Sequence, residues 1–296
     1  MTDWEHWISS QNARSSAAWS NASKFTRTRF WWCFGLIRIP GSTPARRRLA
    51  QASERKVCKN VRGVISPLLA NIYLHYVLDL WARQWRQRHA HGDVIVVRYA
   101  DDSVVGFRTQ WQAQQFLVQL QERLAKFGLS LNASKTRLIE FGRFAARNRR
   151  KRGLGKPETF DFLGFTHCCS TNRSGGFQIL RLTGKKRMRA TLLAIRDELK
   201  RRRHEPIRAQ GQWLTRVVRG YFNYHAVPGN LIRLGGFRSA VCRLWRQALK
   251  RRSQRNRLQW SRYGRLADLY IPRPRNAHPY PEDRFASHTR GRSRMR

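Results

Sequence analysis

The fold of this chain is decided by residues 94–107, which read VIVVRYADDSVVGF. The β-branched residues that open and close this stretch are typical of two buried strands. The second run follows the aspartates at once, so the chain has to reverse at Asp101 and Asp102. We therefore predict a β-hairpin that carries two adjacent carboxylates at its tip.

Adjacent carboxylates on a tight hairpin repel each other unless water or a cation lies between them. Oxygen ligands of this kind favour Mg²⁺, and a hairpin tip can direct two neighbouring side chains to one side. In nucleotidyl transfer, two Mg²⁺ ions about 3.5–4 Å apart activate the attacking hydroxyl and stabilise the leaving group. Solvated aspartates are the alternative interpretation, because aspartate is common in turns.

A helix is predicted upstream of the hairpin. Ser66-Pro67 is typical of a helix start, and apolar residues then recur at helical spacing to about Arg88. We expect this helix to bury a broad apolar face in the core, formed by Leu68, Leu69, Ile72, Tyr73, Tyr76, Val77, Leu80 and Trp81.

Downstream of the hairpin, Thr109 is predicted to cap an amphipathic helix that Gly128 closes. Extended segments are expected at residues 129–132 and 138–141, and residues 160–165 are interpreted as a further strand.

The later part of the chain is predicted to be helical, at about residues 185–203, 211–225 and 237–252. The order is therefore α+β followed by α. Residues 271–296 are rich in proline, arginine and histidine, which indicates a disordered basic tail. Residues 1–62 show little periodicity and receive no predicted fold.

The formal net charge is +43, from 60 lysines and arginines against 17 acidic residues. A protein this basic repels itself unless a polyanion neutralises it, so DNA, RNA or an anionic membrane is the expected partner. No apolar run reaches the ~18–20 residues of a membrane span, and the N-terminus lacks the pattern of a secretory signal. We expect nucleic acid and no membrane.

The five cysteines form no CxxC pair. This argues against a disulfide framework or a zinc ribbon and favours a reducing, cytoplasmic compartment. The arginine-rich chain and its compact motifs are typical of a bacterial protein. Cys168 and Cys169 beside His167 could bind a metal, but adjacent strand residues face opposite ways, so buried thiols are the favoured interpretation.

Four segments resemble, in the same order, motifs of the reverse transcriptases encoded by group II introns. They are GVISPLLANIYL (residues 63–74), RYADD (98–102), LSLNASKT (129–136) and FDFLGF (160–165). The resemblance continues through residues 201–225 and covers about residues 63–274. It implies the C-terminal part of a reverse-transcriptase palm at 63–180 and an α-helical maturase-specific (thumb) domain at 181–270, with residues 1–62 unassigned.

The resemblance also implies roles for individual residues. Asp101 would be the firmer Mg²⁺ ligand and Asp102 its catalytic partner. Tyr99 would lie near the primer–template and Lys135 near the triphosphate. The primer strand would be held by Phe162, Leu163 and Gly164. A buried anchoring tyrosine, a solvated lysine and phenylalanines that serve only the core remain alternatives.

The sequence departs from this family before Gly63. Intact members carry a further aspartate on an earlier palm strand, whereas the only carboxylates here are Asp3, Glu5 and Glu54. A Gly-x-Pro-Gln-Gly-Gly stretch is replaced by CKNVRG, and the fingers have no recognisable counterpart. We therefore expect a truncated or frame-shifted copy with impaired polymerase activity, because each 1.36 kcal/mol of lost transition-state stabilisation is tenfold in rate.

The helical part contains the expected RNA-binding surface. Residues 185–203 hold nine lysines and arginines, and residues 243–257 hold seven without an acid. Arginine forks suit phosphate geometry. The predicted RNA-binding residues are Lys185, Lys186, Arg187, Arg201, Arg202, Arg203, Arg219, Arg251 and Arg252.

The leading hypothesis is a group II intron reverse transcriptase and maturase that binds intron RNA, an RNA template and a DNA primer with Mg²⁺ as cofactor. A non-catalytic basic RNA-binding module is the alternative. A pseudogene product that never folds stably is a third hypothesis, which cooperative unfolding would exclude.

Overall fold

The computed structural model describes the protein over residues 29–38, 65–172, 174–252 and 258–280. The chain divides into two units, Met1–Glu158 and Thr159–Arg296. None of the helices within the described ranges is long and apolar enough to cross a membrane. The predictions for the remainder of residues 1–62 and for the tail beyond residue 280 lie outside the described residues.

The first unit combines an antiparallel five-stranded sheet with helices. The strands are β1 (Arg29–Arg38), β2 (Ile95–Tyr99), β3 (Asp102–Phe107), β4 (Ser130–Leu131) and β5 (Arg137–Gly142). Their order is β2-β3-β1-β4, and β5 also pairs with β1. The helical segments are α1 (Ile65–Leu74), a π-helical turn (His75–Asp79), α2 (Leu80–His89), α3 (Gln110–Ala125) and α4 (Ala145–Lys151).

Strand β1 belongs to the segment for which the sequence predicted no fold. It pairs with β3 on one side and with β5 on the other. Leu36 is the backbone partner of Asp102 in this register. A strand from the N-terminal part of the chain therefore lies directly beside the strand that begins at the second hairpin aspartate.

The helix predicted upstream of the hairpin is present, from Ile65 to His89, but the prediction of its buried face is partly wrong. Leu74, Val77 and Trp85 are buried, whereas Leu68 and Tyr76 are 61% and 63% exposed. Leu69, Ile72, Tyr73 and Leu80 are also exposed. Apolar residues occupy two faces of this helix, and within the described part of the chain only the face with Leu74, Val77 and Trp85 is buried.

Aromatic packing forms the core of the first unit. Phe116 on α3 lies 5.0 Å from the Trp85 ring and 5.1 Å from the Phe107 ring, measured between centroids. Thr109 caps α3 as predicted, because its side chain accepts a hydrogen bond from the Gln112 amide. Gly128, with a φ of +66°, follows the helix end. These contacts place α3 against the hairpin strands.

The second unit begins with an antiparallel sheet of three strands in sequence order, β6 (Phe160–Phe162), β7 (Phe165–Thr171) and β8 (Phe177–Thr183). Four helices follow: α5 (Lys185–Arg201), α6 (Ile207–His225), α7 (Leu231–Lys250) and α8 (Trp260–Tyr270). The sheet and the helices belong to the same unit, so the division of the structure falls before β6.

The helices of the second unit enclose one hydrophobic core. Leu214, Val218, Phe237, Val241 and Trp245 are fully buried in it. Helix α7 begins at Leu231, earlier than the predicted residue 237, although Gly235 and Gly236 lower its helix propensity. Burial of Leu234 and Phe237 explains the difference, because tertiary packing overrides propensity.

Two glycines of α6 provide a matched test of this packing. A Cβ atom at Gly211 would lie 2.5 Å from the Tyr270 ring, whereas a Cβ at Gly220 meets nothing within 4 Å. We expect Gly211→Ala to lower the free energy of unfolding by about 1–3 kcal/mol. Gly220→Ala should raise it by about 0.5–1 kcal/mol, because alanine favours the helix. Urea unfolding of the full chain measures both, and equal effects would contradict the packing.

Candidate functional site

The predicted hairpin is present as β2 and β3. Tyr99 pairs with Asp102, which leaves Ala100 and Asp101 as the two turn residues. Ala100 has a φ of +53°, in the left-handed region that residues other than glycine rarely adopt. Asp101 is exposed and Asp102 is half-buried. The tip therefore presents both carboxylates on a strained turn.

Arg98 holds this turn in place. Its guanidinium donates to both carboxylate oxygens of Asp79, at 2.7 Å each. Its Nη1 atom donates to the Asn71 side-chain oxygen at 3.0 Å and to the Ala100 carbonyl at 2.8 Å. Asn71 lies in α1 and Asp79 in the π-helical turn, so Arg98 ties the hairpin tip to the helical segment upstream.

Sequence reasoning assigned no role to Asn71 or Asp79. They are eight residues apart, a spacing that places two side chains on the same side of a helix. The contact with Arg98 itself depends on tertiary packing, which this spacing does not reveal.

Lys135 lies in the loop between β4 and β5, where its charge acts on Asp102. The Asn132 carbonyl accepts hydrogen bonds from the amides of Lys135 and Thr136, at 3.0 and 2.8 Å, which shapes this loop. Burial, followed by the neighbouring Asp101 carboxylate, raises the pKa of Asp102, and the Lys135 ammonium lowers this pKa in part. Asp101, Asp102 and Lys135 therefore form one electrostatic site.

Tyr99 occupies the strand position directly before this turn. Its side chain is 37% exposed. It can therefore be reached by a ligand at the hairpin tip, which the alternative of a buried anchor would not allow.

The aspartate pair suits one Mg²⁺ ion better than two. Mg²⁺ keeps several waters and is commonly bound by one or two carboxylates together with substrate phosphates. Within the described ranges, no group of three or more His, Cys, Asp or Glu residues is placed to hold a metal. Strand β1, whose Leu36 faces Asp102 in the register, contains no aspartate or glutamate. A second ion would need ligands beyond this pair.

A second strained turn joins β6 and β7 in the other unit. Phe162 pairs with Phe165, so Leu163 and Gly164 form the turn, with φ values of +50° and +80°. The Tyr224 hydroxyl donates to the Leu163 carbonyl at 2.8 Å, and the Gly184 amide donates to the Gly164 carbonyl at 3.0 Å. These two hydrogen bonds hold the Leu163–Gly164 turn against α6 and against the start of α5.

The predicted primer-holding residues differ in accessibility. Phe162 is only 4% exposed, so its side chain serves the core, which was the alternative interpretation. Leu163 and Gly164 are partly exposed. A Cβ atom at Gly164 would collide with the Arg187 guanidinium, so this arginine lies directly against the turn.

His167 and its neighbouring cysteines show the features of a packed strand. His167 is buried and stacks on Phe160, with ring centroids 4.6 Å apart. Burial lowers the pKa of His167 to about 3, so it is neutral near pH 7. Cys168 and Cys169 are partly buried thiols.

The predicted RNA-binding residues fall into two groups. Lys185, Lys186 and Arg187 are exposed in the first turn of α5, and no ion pair engages them within the described residues. Arg219 and Arg251 are exposed as well. All five residues are exposed, and the Arg187 guanidinium also lies against the Leu163–Gly164 turn.

The four residues of the second group are either paired with acids or half-buried. Arg201 and Arg202 form ion pairs with Glu198 at 3.1 and 2.7 Å, and Arg202 also pairs with Glu205. The Arg202 guanidinium lies 5.3 Å from the centre of the Trp213 ring. Arg203 and Arg252 are half-buried. Glu198 and Glu205 therefore neutralise part of the basic run at residues 185–203, whose positive charge the sequence alone had indicated to be without acidic partners.

Comparison with protein families gives one match. Residues 42–167 match the family model described as reverse transcriptase (RNA-dependent DNA polymerase). This range begins upstream of Gly63, where the resemblance was expected to start, and it includes the Asp101–Asp102 hairpin, the Lys135 loop and the Leu163–Gly164 turn. It covers less than half of the chain. A comparison with curated proteins finds no match.

The anchoring of the hairpin by Arg98 predicts a large effect of a conservative change. Arg98→Lys keeps the charge but cannot reproduce four directed hydrogen bonds. We expect the free energy of unfolding to fall by about 1–3 kcal/mol, because partly buried partners lose their donors. Arg83→Lys is the control, at an exposed position of α2, and should change stability by less than about 0.5 kcal/mol. Equal losses of stability in the two variants, measured by urea unfolding, would contradict the anchoring role of Arg98.

The raised pKa of Asp102 predicts a pH-dependent gain in stability for Asp102→Asn. Because folding raises this pKa, the ionised carboxylate destabilises the folded protein at neutral pH. This contribution disappears once the pH is low enough to protonate Asp102 in both states. Asp102→Asn should therefore be more stable than the wild type near pH 7, and the difference should shrink below about pH 4. Chemical unfolding across this pH range, with Asp93→Asn as an exposed control, measures it.

Proposed function

We propose that this protein is a truncated reverse transcriptase and maturase of a group II intron, with impaired polymerase activity and a retained ability to bind RNA. The observation that carries the proposal is the Asp101–Asp102 hairpin with Lys135 beside it, inside the segment that matches a reverse transcriptase. This arrangement combines paired carboxylates with a cation for a phosphate group.

The residues of the hairpin would divide the chemistry. Asp101 and Asp102 would hold Mg²⁺, which, when bound, supplies a Lewis acid for the attacking hydroxyl and the leaving pyrophosphate. Lys135 would contact the triphosphate, because its ammonium lies close enough to influence Asp102. The exposed part of Tyr99 would lie against the primer–template. Arg98 would position these groups by fixing the Ala100 carbonyl.

The ligand set explains the expected impairment. Two-ion catalysis requires more carboxylate ligands than an adjacent pair provides. The strand beside Asp102 contributes a leucine at the facing backbone position and no carboxylate. Loss of a metal ligand should remove several kcal/mol of transition-state stabilisation, so we expect a reduction in rate of a thousandfold or more.

Exposed positive charge on the helices of the second unit supports the RNA-binding part of the proposal. The Lys185–Arg187 turn and Arg219 can each neutralise a phosphate, and the net charge of +43 favours a polyanion. The alternative, a non-catalytic RNA-binding module, is favoured by the absence of a carboxylate from β1, the described strand beside Asp102. The two functions differ only in whether the aspartate pair still supports DNA synthesis.

Primer extension by the full chain, with an RNA template, a DNA primer and Mg²⁺, tests the first part. We expect only traces of extension, and the double substitution Asp101→Ala, Asp102→Ala should remove them. Efficient synthesis that the substitutions abolish would overturn the proposed impairment. A complete absence of extension, with RNA binding retained, would favour the non-catalytic module.

RNA binding measured against salt concentration, in the same preparations, tests the second part. Each phosphate contact contributes about 0.7–0.9 to the slope of log K against log salt, so Lys185→Ala, Lys186→Ala should reduce the slope by about 1.4–1.8. Arg196→Ala, Lys200→Ala is a matched control on α5, because both side chains already pair with Asp197. It should reduce the slope by less than half as much. A slope that does not depend on these residues would contradict the proposed surface.

A further inference from the structure

A cleft of about 700 Å³ runs along the outer edge of β2 in the first unit. One wall is Val94 and the strand that follows it, as far as Arg98, and the other is the flank of α2, including Ala82, Arg83 and Arg86. The cleft is distinct from the hairpin tip, because Asp101, Asp102 and Lys135 do not line it.

The strand along this cleft is an edge of the sheet. Among the described residues, β2 pairs with β3 and with no other strand. Tyr99 and Asp102 close a two-residue turn, so this pair exchanges both of its backbone hydrogen bonds. Alternation then directs the N–H and C=O groups of Val96 and Arg98 away from β3, toward the cleft.

Such an edge fits a peptide better than a nucleic acid. It offers donors and acceptors in alternation, and a second extended peptide matches both. Phosphate groups accept hydrogen bonds but donate none, so contacts with phosphates leave the outward carbonyls of Val96 and Arg98 without partners. Backbone complementarity therefore favours an added protein strand.

The charges beside the edge identify the kind of peptide. Arg83 and Arg86 are exposed, lie one helical turn apart on α2, and take part in no ion pair within the described residues. Two acids of the described ranges line the cleft, Asp79 and Asp93, and Asp79 is already paired with Arg98. Arg83 and Arg86 would therefore pair with acidic side chains of a strand that binds along β2.

A second copy of this chain fits this edge poorly. Each copy carries a formal charge of +43, so two copies repel each other strongly. We propose that the edge of β2 and the flank of α2 form a docking site for an extended acidic segment of a partner protein, which adds to the sheet as a further strand.

Binding of a labelled ten-residue peptide of alternating glutamate and valine to the full chain tests the proposal. The control peptide has the same sequence and charge, with alternate backbone nitrogens methylated so that it cannot donate to the edge. At about 0.15 M salt, we expect the unmethylated peptide to bind at least tenfold more tightly. Hydrogen exchange at the amides of Val96 and Arg98 should slow when it binds.

Two sets of variants separate edge pairing from general charge attraction. Val96→Pro removes an outward donor at a position where an edge strand tolerates proline, and it should weaken binding about tenfold. Its unfolding midpoint confirms that the variant is folded. Arg83→Glu, Arg86→Glu should weaken binding more than the matched change Arg150→Glu, Lys151→Glu on α4, which alters the total charge equally.

Three outcomes would overturn the docking site. Equal binding of the methylated peptide would show attraction by charge alone, as would equal losses in the two charge-reversed variants. A single-stranded RNA oligonucleotide that protects the same amides and displaces the peptide would make nucleic acid the occupant. None of these measurements depends on polymerase activity or on RNA binding by the second unit, so they test the docking site separately from the proposed function.

Discussion

The strained backbone at the hairpin tip depends on one arginine. Ala100 adopts a left-handed φ, which is unfavourable for a residue with a Cβ atom. The Arg98 guanidinium stabilises this conformation, because it contacts the Ala100 carbonyl, Asn71 and Asp79 at once. The π-helical turn ends at Asp79, so the irregularity in the helix and the irregularity in the turn meet at one side chain. Arg98 and Asp79 also line the β2 cleft, so the hairpin tip and the cleft share this contact.

Local sequence patterns were sufficient to predict much of this arrangement. The β-branched runs around the aspartates predicted the hairpin, Thr109 predicted the start of α3, and apolar spacing predicted the helices of the second unit. Each of these signals is carried by residues close together in the chain. The fold class, mixed α and β followed by helices, was predictable for the same reason.

Features that depend on distant partners were not predictable. The helix at residues 65–89 carries apolar residues on two faces, and the sequence alone does not show that the face with Leu68 and Tyr76 is left uncovered. The pairing of β1 with β3 joins strands more than sixty residues apart in a region without a recognisable pattern. The ion pairs of Arg201 and Arg202 with Glu198 are local, and their i,i+3 and i,i+4 spacing was a signal that could have been used.

The two strained turns follow the same physical logic. Among the described residues, Ala100 and Leu163 are the two non-glycine residues with positive φ. Each lies in a two-residue turn that the family resemblance associates with the reaction, and each has its carbonyl held by a long side chain, Arg98 in one unit and Tyr224 in the other. Backbone strain of this kind costs on the order of 1–3 kcal/mol per residue and persists only where surrounding contacts impose it. Glycine would relieve that cost, so the retained alanine and leucine mark both turns as places where the surrounding contacts impose the backbone conformation. This coincidence of strain with the two resembling motifs is consistent with the proposed function.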